Sequence, residues 1–107
     1  MGKLKRGDIF FADLGHKRRP YLVVQNDIGN TFSPRTIVVP LTSRIKKALP
    51  THCLICWGSI KPSVVQCEEI SYVDVDETWT VKEHLPPEIM SHVDKALAVA
   101  VGLGVIE

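Results

Sequence analysis

Arg18 and Arg19 form a basic pair that runs directly into an apolar segment, and these two residues are well suited to bind an anion. The apolar row at residues 21–24 predicts a buried strand, and Pro20 fits only at its beginning, where pairing requires no backbone N–H. Arg19 is therefore expected at a rigid strand end. A guanidinium stays protonated and offers a planar fork of donors that matches a phosphate. The alternative is a solvated loop tip at residues 17–19.

A hydroxyl group is expected at the end of another strand. Residues 36–42 predict that strand, and Pro40 within it indicates an edge position or a bulge that would re-aim Thr42. No Ser/His/Asp arrangement and no cluster of carboxylates spaced for magnesium is apparent in the sequence. The remaining cation and hydroxyl suit the stabilisation of charge on a phosphate. RNA would supply its own nucleophile, because its 2′-hydroxyl lies beside each phosphate.

The three cysteines raise the question of a zinc site. Cys53 and Cys56 have C-x-x-C spacing, but the Leu-Ile pair between them favours a strand, in which positions three apart lie on opposite faces. An odd cysteine count in a chain without an apparent export segment argues against a disulfide framework. We therefore expect Cys53, Cys56 and Cys67 to be core or half-buried thiols in a reducing cytoplasm, with neither a metal nor a cofactor.

Length and composition are those of one small globular domain spanning residues 1–107, because the chain is 45% hydrophobic and 23% charged. No apolar run reaches the length of a membrane span. The net charge is only +1, but residues 1–50 hold ten Lys or Arg against three Asp, whereas residues 51–107 hold three Lys against nine acidic residues. This asymmetry indicates a basic face that could meet nucleic acid or an acidic protein partner.

Hydrophobic patterning predicts five or six short strands followed by one long helix. The strands are expected at residues 8–14, 21–25, 36–42, 52–57 and 63–71, with a short last strand at 78–81. Residues 27–35 are expected to form a polar loop. Pro86 and Pro87 open the helix and Gly102 ends it, with an apolar stripe made of Ile89, Val93, Leu97 and Val101. This order describes a mainly β domain, a small barrel with a C-terminal helix.

Several short motifs, in this order along the chain, closely resemble the MazF/PemK/Kid family. They are RGDIFFADL at 6–14, RP at 19–20, QND at 25–27, VPLTS at 39–43, LPTH at 49–52, and SV at 63–64 leading to CEEI at 67–70. That family comprises toxins of bacterial toxin–antitoxin pairs that cut single-stranded RNA without metal. The resemblance implies a small SH3-like β-barrel of the MazF/CcdB type, a homodimer, and inhibition by a cognate antitoxin.

The resemblance also implies roles for individual residues. Arg19 matches the family's catalytic arginine, expected to serve in proton transfer and phosphate stabilisation, and Thr42 matches the hydroxyl that holds the transition-state oxygens. The implied products carry a 2′,3′-cyclic phosphate and a 5′-hydroxyl. Glu68 matches an acidic position in the fifth strand, where a cross-strand pair with a basic residue is the alternative to RNA contact. The other RNA-binding candidates flank the two catalytic positions: His16, Lys17, Arg18, Ser43 and Arg44.

The connection between the first two strands is shorter than in the family, where a longer loop helps to cover the RNA groove. His16, within this short connection, is a candidate acid or base, since imidazole titrates near neutrality, or is simply solvated. Two other interpretations remain open, and the short loop favours the first of them. One is a CcdB-like toxin that binds DNA gyrase, or a degenerate member that retains only RNA or antitoxin binding. The other is a small nucleic-acid-binding barrel with exposed stacking aromatics.

Overall fold

The computed structural model describes residues 3–15, 17–44 and 48–104. Within these ranges the chain forms a mainly β structure with a C-terminal helix, and the predicted fold class is confirmed. The elements are β1 (Asp8–Asp13), β2 (Arg18–Val23), α1 (Asp27–Phe32), β3 (Arg35–Thr42), β4 (His52–Trp57), β5 (Ile60–Gln66), β6 (Ser71–Asp74), β7 (Val81–His84) and α2 (Pro87–Val101). No helix in the described ranges combines the length and hydrophobicity needed to cross a membrane.

The strands pair antiparallel in the order β4-β5-β3-β2-β1-β7, and β6 pairs with β3. β3 therefore has three partner strands. Its first four residues pair with β6, and its last two, Leu41 and Thr42, pair with β5. Pro40 lies between these two sets, opposite Tyr21 of β2. Pro40 was expected at an edge or a bulge, but β3 lies inside the sheet and its pairings record no register shift at Pro40. The proline instead occupies the point where β3 passes from β6 to β5, where its missing N–H is tolerated.

Two β-bulges interrupt the regular pairing. On β5, Lys61 and Pro62 together lie opposite a single residue of β4. On β7, Lys82 is the extra residue opposite the step from Ile9 to Phe10 of β1. A bulge bends its strand and turns the extra residue out of the regular alternation of side chains. Both bulges thus place a lysine where regular pairing would not.

Both faces of the sheet are covered by apolar clusters. Ile9 of β1 packs in the cluster that α2 completes, whereas the adjacent Phe10 points to the opposite face. There the ring centroid of Phe10 lies 4.4 Å from that of Trp79 and 6.0 Å from that of Tyr21. These aromatic residues are core contacts, which removes them from any exposed stacking surface. Trp57, at the end of β4, is by contrast exposed.

The predicted helix at the C-terminal end is confirmed as α2. Pro86 is its N-cap, and Gly102 ends it at a φ of 71°, in the left-handed region that glycine adopts without strain. Val93, in the predicted apolar stripe, is fully buried. Val101, the last predicted member of the stripe, is exposed, whereas Leu97 and Ala100 are partly buried and pack against the core.

Residues 27–35, expected to form a loop, instead begin with helix α1. The Asn26 side chain caps this helix by accepting a hydrogen bond from the Gly29 backbone N–H at 2.8 Å. Asn30 is buried; its side chain donates to the Gln25 carbonyl at 3.0 Å and accepts from the Thr36 hydroxyl at 2.8 Å. The polar residues that suggested a loop therefore act as a helix cap and a buried anchor.

The strands after β4 also differ from their predicted positions. The chain forms three strands where two were expected, because the predicted strand at 63–71 divides at a turn after Gln66. β5 starts earlier than expected, at Ile60, and β7 lies three residues later than the predicted strand at 78–81. Pro62 lies in the bulge of β5, outside the regular β4–β5 pairing, so it does not end the strand.

The cysteine side chains follow the predicted alternation along β4. Cys53 is buried and Cys56 is exposed, so the C-x-x-C pair points to opposite faces of the strand, as its sequence predicts. Cys67 is buried, and this burial raises the pKa of its thiol to about 12. Cys56 is the exception to the expected core or half-buried thiols. All three are free thiols.

Candidate functional site

An open groove of about 690 Å³ lies among the ends of the strands. Six cationic residues line it, and within the described part of the chain no aspartate or glutamate does. The cations are Lys17, Arg18, Arg19, Arg44, Lys61 and Lys82. Clefts lined by charge of one sign focus the electrostatic field and raise the local concentration of the opposite charge. The groove is therefore suited to a polyanion.

Arg19 is the most firmly positioned of these cations. It lies in β2 opposite Ala12, and its side chain is about 28% exposed. Its Nη2 donates to Gln66 Oε1 at 3.0 Å, and its Nη1 lies 4.0 Å from Glu69 Oε1. A guanidinium has five N–H donors, so these contacts orient the group while leaving donors for an anion.

Thr42 is the last residue of β3, and the structure confirms its predicted place at a strand end. Its Oγ1 accepts a hydrogen bond from the Arg44 backbone N–H at 3.1 Å, which turns the chain out of the sheet. The hydroxyl hydrogen remains a donor. Thr42 lines the same groove as Arg19, so the structure brings together the cation and the hydroxyl that the sequence singled out. Ser43 and Arg44, both exposed, line it as well.

The other sequence candidates lie at the start of β2. Lys17 and Arg18 are exposed and line the groove. The guanidinium carbon of Arg18 lies 5.7 Å from the centre of the Phe11 ring, a cation–π distance that favours its position at the groove. His16 lies outside the described residues.

Glu68 is placed differently from the prediction. It lies in the turn after β5 rather than in the fifth strand, and it is not among the residues that line the groove. Its Oε1 accepts from the Thr51 hydroxyl at 2.7 Å, and its Oε2 lies 3.1 Å from His52 Nε2. The alternative role, a pair with a basic residue, is the one observed. Burial raises the pKa of Glu68. The hydrogen bonds that its carboxylate accepts, including those from Thr51 and His52, outweigh this effect, so the pKa of Glu68 lies below its ordinary value.

A second, smaller pocket of about 360 Å³ lies on the other flank of Arg19, which lines both cavities. Its chemistry is mixed, because Glu69 and Tyr21 line it together with Arg19 and Lys17. Burial raises the pKa of Tyr21, so its phenol remains a neutral hydrogen-bonding group. Arg19 therefore lies between two cavities: a groove whose charged lining residues are all cations, and a pocket in which Glu69 also offers a carboxylate acceptor.

Three residues of the site were missed by sequence reasoning. Gln66 anchors Arg19 across 47 positions of the chain, and no local pattern could indicate that pair. Lys61 precedes Pro62 inside a strand, and a proline at such a position indicates a bulge that could have drawn attention to it. Lys82 lies in an ordinary-looking polar segment with no such indication.

The described residues contain no group of three or more His, Cys, Asp or Glu side chains arranged to hold a metal ion.

Comparison with known proteins gives consistent results for sequence and fold. A family model described as "PemK-like, MazF-like toxin of type II toxin-antitoxin system" matches residues 5–101. Endoribonuclease EndoA of Bacillus subtilis (strain 168) is 43% identical over 111 residues, which cover 94% of this chain and 96% of the relative. A mycobacterial endoribonuclease in complex with its cognate antitoxin superposes with a TM-score of 0.86 at 26% identity, covering 96% of this chain and 99% of that one. Another mycobacterial endoribonuclease gives a TM-score of 0.82 at 25% identity, covering 96% and 95%.

Proposed function

The chain belongs to the family of PemK-like, MazF-like toxins of type II toxin–antitoxin systems and is an endoribonuclease, and we propose that it cuts single-stranded RNA with Arg19 and Thr42 as its catalytic residues. One observation carries the assignment of these residues. Arg19 and Thr42 line the same groove. Arg19 is one of six cationic residues that line it, and no acidic residue of the described part of the chain does. This arrangement suits a reaction in which negative charge accumulates on a phosphate.

The reaction requires no external nucleophile. The 2′-oxygen of the ribose forms a bond to phosphorus while the bond from phosphorus to the 5′-oxygen of the next nucleotide breaks. The 2′-hydroxyl loses a proton and the leaving 5′-oxygen gains one, which gives a 2′,3′-cyclic phosphate and a 5′-hydroxyl. The protein has to align these atoms, move the protons and stabilise the added charge.

Arg19 and Thr42 meet these needs with different groups. The Arg19 guanidinium, oriented by Gln66, donates hydrogen bonds to the non-bridging phosphate oxygens and assists the proton transfers. The Thr42 hydroxyl donates to the same developing charge. Lys17, Arg18 and Arg44 hold the flanking RNA backbone in the groove, and none of these steps uses a metal ion.

The gyrase-binding alternative has no support. The relatives with 25% or more identity described above are endoribonucleases, and a protein that acts only by binding gyrase has no need for Arg19 beside Thr42. The short first connection, which had favoured this alternative, leaves both residues in the groove.

The proposal extends to partners and location. The mycobacterial relative in complex with its cognate antitoxin supports an antitoxin for this chain as well. We propose that an acidic or apolar segment of that antitoxin lies across the cationic groove and competes with RNA. We further propose that the chain acts in the cytoplasm, as a single toxin domain that forms a homodimer.

The test is cleavage of a long single-stranded RNA in excess EDTA, with identification of the product ends. We expect cyclic-phosphate ends from the natural chain and a loss of about 100-fold or more in rate for Arg19→Ala and for Thr42→Ala, since each removes a donor to the developing charge. Arg35→Ala is the control, because Arg35 pairs with Asp74 and does not line the groove. Cleavage that needs a divalent metal, or that survives both catalytic substitutions, would refute the assignment.

A further inference from the structure

Lys61 and Lys82 differ from the other four cations of the groove in how the fold presents them. Both are extra residues in β-bulges, one on β5 and one on β7. A bulge gives up regular ladder hydrogen bonds, and bulges commonly re-aim a side chain next to a functional site. Here two separate bulges bring a lysine to the same groove.

A carboxylate bridge holds the two bulged strands next to each other. Glu83, adjacent to Lys82, accepts hydrogen bonds from the Ser59 backbone N–H at 2.8 Å and from the Ser59 hydroxyl at 2.6 Å. These bonds lower the pKa of Glu83, so the bridge persists as a carboxylate. Gly58 has a φ of 56°, and a Cβ at this position would collide with the Glu83 carboxylate. The β4–β5 turn is therefore fastened to β7 at the place where Lys61 and Lys82 emerge.

The same bridge leaves the charge of the two lysines available. Glu83 is the acidic residue adjacent to Lys82, and its carboxylate bonds to Ser59 instead. Among the ion pairs of the described residues, none involves Lys61 or Lys82. An ammonium group is a compact charge on a flexible stem, so it can follow a phosphate without imposing a fixed geometry.

We propose that Lys61 and Lys82 form a second phosphate-binding subsite, which holds a phosphodiester of the RNA away from the bond that is cut. The inference rests on the proposed function, because it assumes that the groove receives a single RNA strand. Arg19 and Thr42 act on the scissile phosphate, whereas the two bulged lysines bind the backbone independently of the base sequence. Their contribution is to the affinity and placement of the substrate rather than to the chemical step.

The test measures binding separately from cleavage. A fully 2′-O-methylated single strand cannot be cut, and its dissociation constant is measured by fluorescence anisotropy across a salt series. The double variant Lys61→Gln/Lys82→Gln is compared with Lys5→Gln/Lys95→Gln, which removes the same charge from exposed lysines outside the groove. Affinity falls as salt rises, and each phosphate contact steepens that fall. Removing two lysine–phosphate contacts should therefore reduce the magnitude of the slope of log affinity against log salt by about 1.4 for a single strand. We expect that reduction in the first variant and less than half of it in the second.

Cleavage kinetics provide a second measurement, in which the loss in the Lys61→Gln/Lys82→Gln variant is expected to fall on KM rather than on kcat. Equal salt slopes for the two double variants would overturn the subsite. If the natural chain binds the methylated strand but never cuts RNA, the proposed function fails while the slopes still decide the subsite. If the natural chain does not bind the strand at low salt, both proposals fail. Thermal unfolding confirms that each variant is folded.

Discussion

Arg19 is anchored by an amide, and this choice of partner preserves its charge. Gln66 Oε1 accepts from Arg19 Nη2 at 3.0 Å without neutralising the guanidinium, whereas the carboxylate of Glu69 lies at 4.0 Å, beyond hydrogen-bonding distance. A carboxylate in the place of Gln66 would orient the group equally well but would compete with the phosphate for it. The structure thus orients the guanidinium through a neutral acceptor, while the nearby carboxylate of Glu69 stays at the outer limit of an ion pair.

Replacing Gln66 tests this interpretation. We expect Gln66→Met, which keeps the length of the side chain but removes the acceptor, to lower kcat by about 10- to 100-fold, because small misplacements of a catalytic group cost rates of that order. Gln66→Glu should also lower kcat, since the added charge neutralises Arg19. Glu69→Gln is the control and should have a smaller effect. Steady-state kinetics on one defined RNA measure these changes, and full kcat in Gln66→Met would show that Arg19 needs no anchor.

Glu68 is expected to contribute to stability in a pH-dependent way. Its pKa in the folded chain lies below the ordinary value of 4.5, so its hydrogen bonds to Thr51 and His52 stabilise the fold above that pH, and the contribution is lost as the pH falls through the folded-state pKa. Glu68→Gln should therefore destabilise the protein by about 0.5 kcal/mol at neutral pH, in the range of partly exposed pairs. Urea unfolding should show that this difference shrinks as the pH is lowered below 4.5, whereas a difference that is constant with pH would contradict it. Glu77→Gln, in an exposed turn, is the control.

Sequence reasoning singled out the proposed catalytic pair but not the Gln66 side chain that anchors Arg19. Arg19 and Thr42 could be singled out because the proline and strand patterns placed them at strand ends. A cation and a hydroxyl at such positions are suited to stabilise charge on a phosphate. The Gln66 contact depends on the register of distant strands and could not be predicted. Glu68 was placed in a strand because the turn that removes it from β5 lacks glycine and proline.

At the scale of elements, hydrophobic alternation located the central strands and α2 but not their shorter neighbours. β1, β3, β4 and α2 follow their apolar patterns closely. α1 was missed because it has only six residues and contains Gly29 and Asn30, residue types that are typical of loops. Tertiary contacts decide such a short helix, here through the buried side chain of Asn30.

The Glu83 bridge gives a prediction for the elements it connects. Removing a negative charge near the groove would, by electrostatics alone, strengthen the binding of RNA. We expect Glu83→Ala to weaken it, with KM rising about threefold to tenfold, because the released β4–β5 turn no longer positions Lys61. Ser59→Ala, which keeps the backbone hydrogen bond, should have a smaller effect in the same direction. Tighter RNA binding by Glu83→Ala would show that the bridge has no positioning role.

At the scale of the whole molecule, the fold concentrates charge that the composition conceals. The chain has a net charge of only +1, yet six cations line one groove. The asymmetry between the two halves of the sequence predicted a basic face, but the halves are interleaved in space. Lys61 and Lys82 come from the acidic half and join cations from the basic half, because β5 and β7 lie at the groove.

Such a groove attracts a backbone of phosphates whatever its sugar. We therefore expect single-stranded DNA, which lacks the 2′-hydroxyl, to inhibit RNA cleavage competitively and to remain uncut. The inhibition constant should rise by at least about tenfold between 50 and 200 mM salt, as counterion release requires for several phosphate contacts. An uncharged nucleic-acid analogue of the same sequence is the control. Inhibition that is independent of salt would show that the groove recognises something other than charge.

The three partners of β3 have a consequence for the order in which the chain folds. β2 and β3 are close in sequence, but the pairing of β3 with β5 and β6 closes longer loops, and such closures are entropically slower. The antiparallel unit of β1, β2 and β3 can form early, whereas the β5 and β6 pairings must wait for β3 to exist as a template. Thr42 pairs with β5 and Arg19 bonds to Gln66 at the end of β5, so the contacts that orient the two proposed catalytic residues form only in the later stage. A nascent toxin would then remain inactive until nearly all of its sheet has assembled.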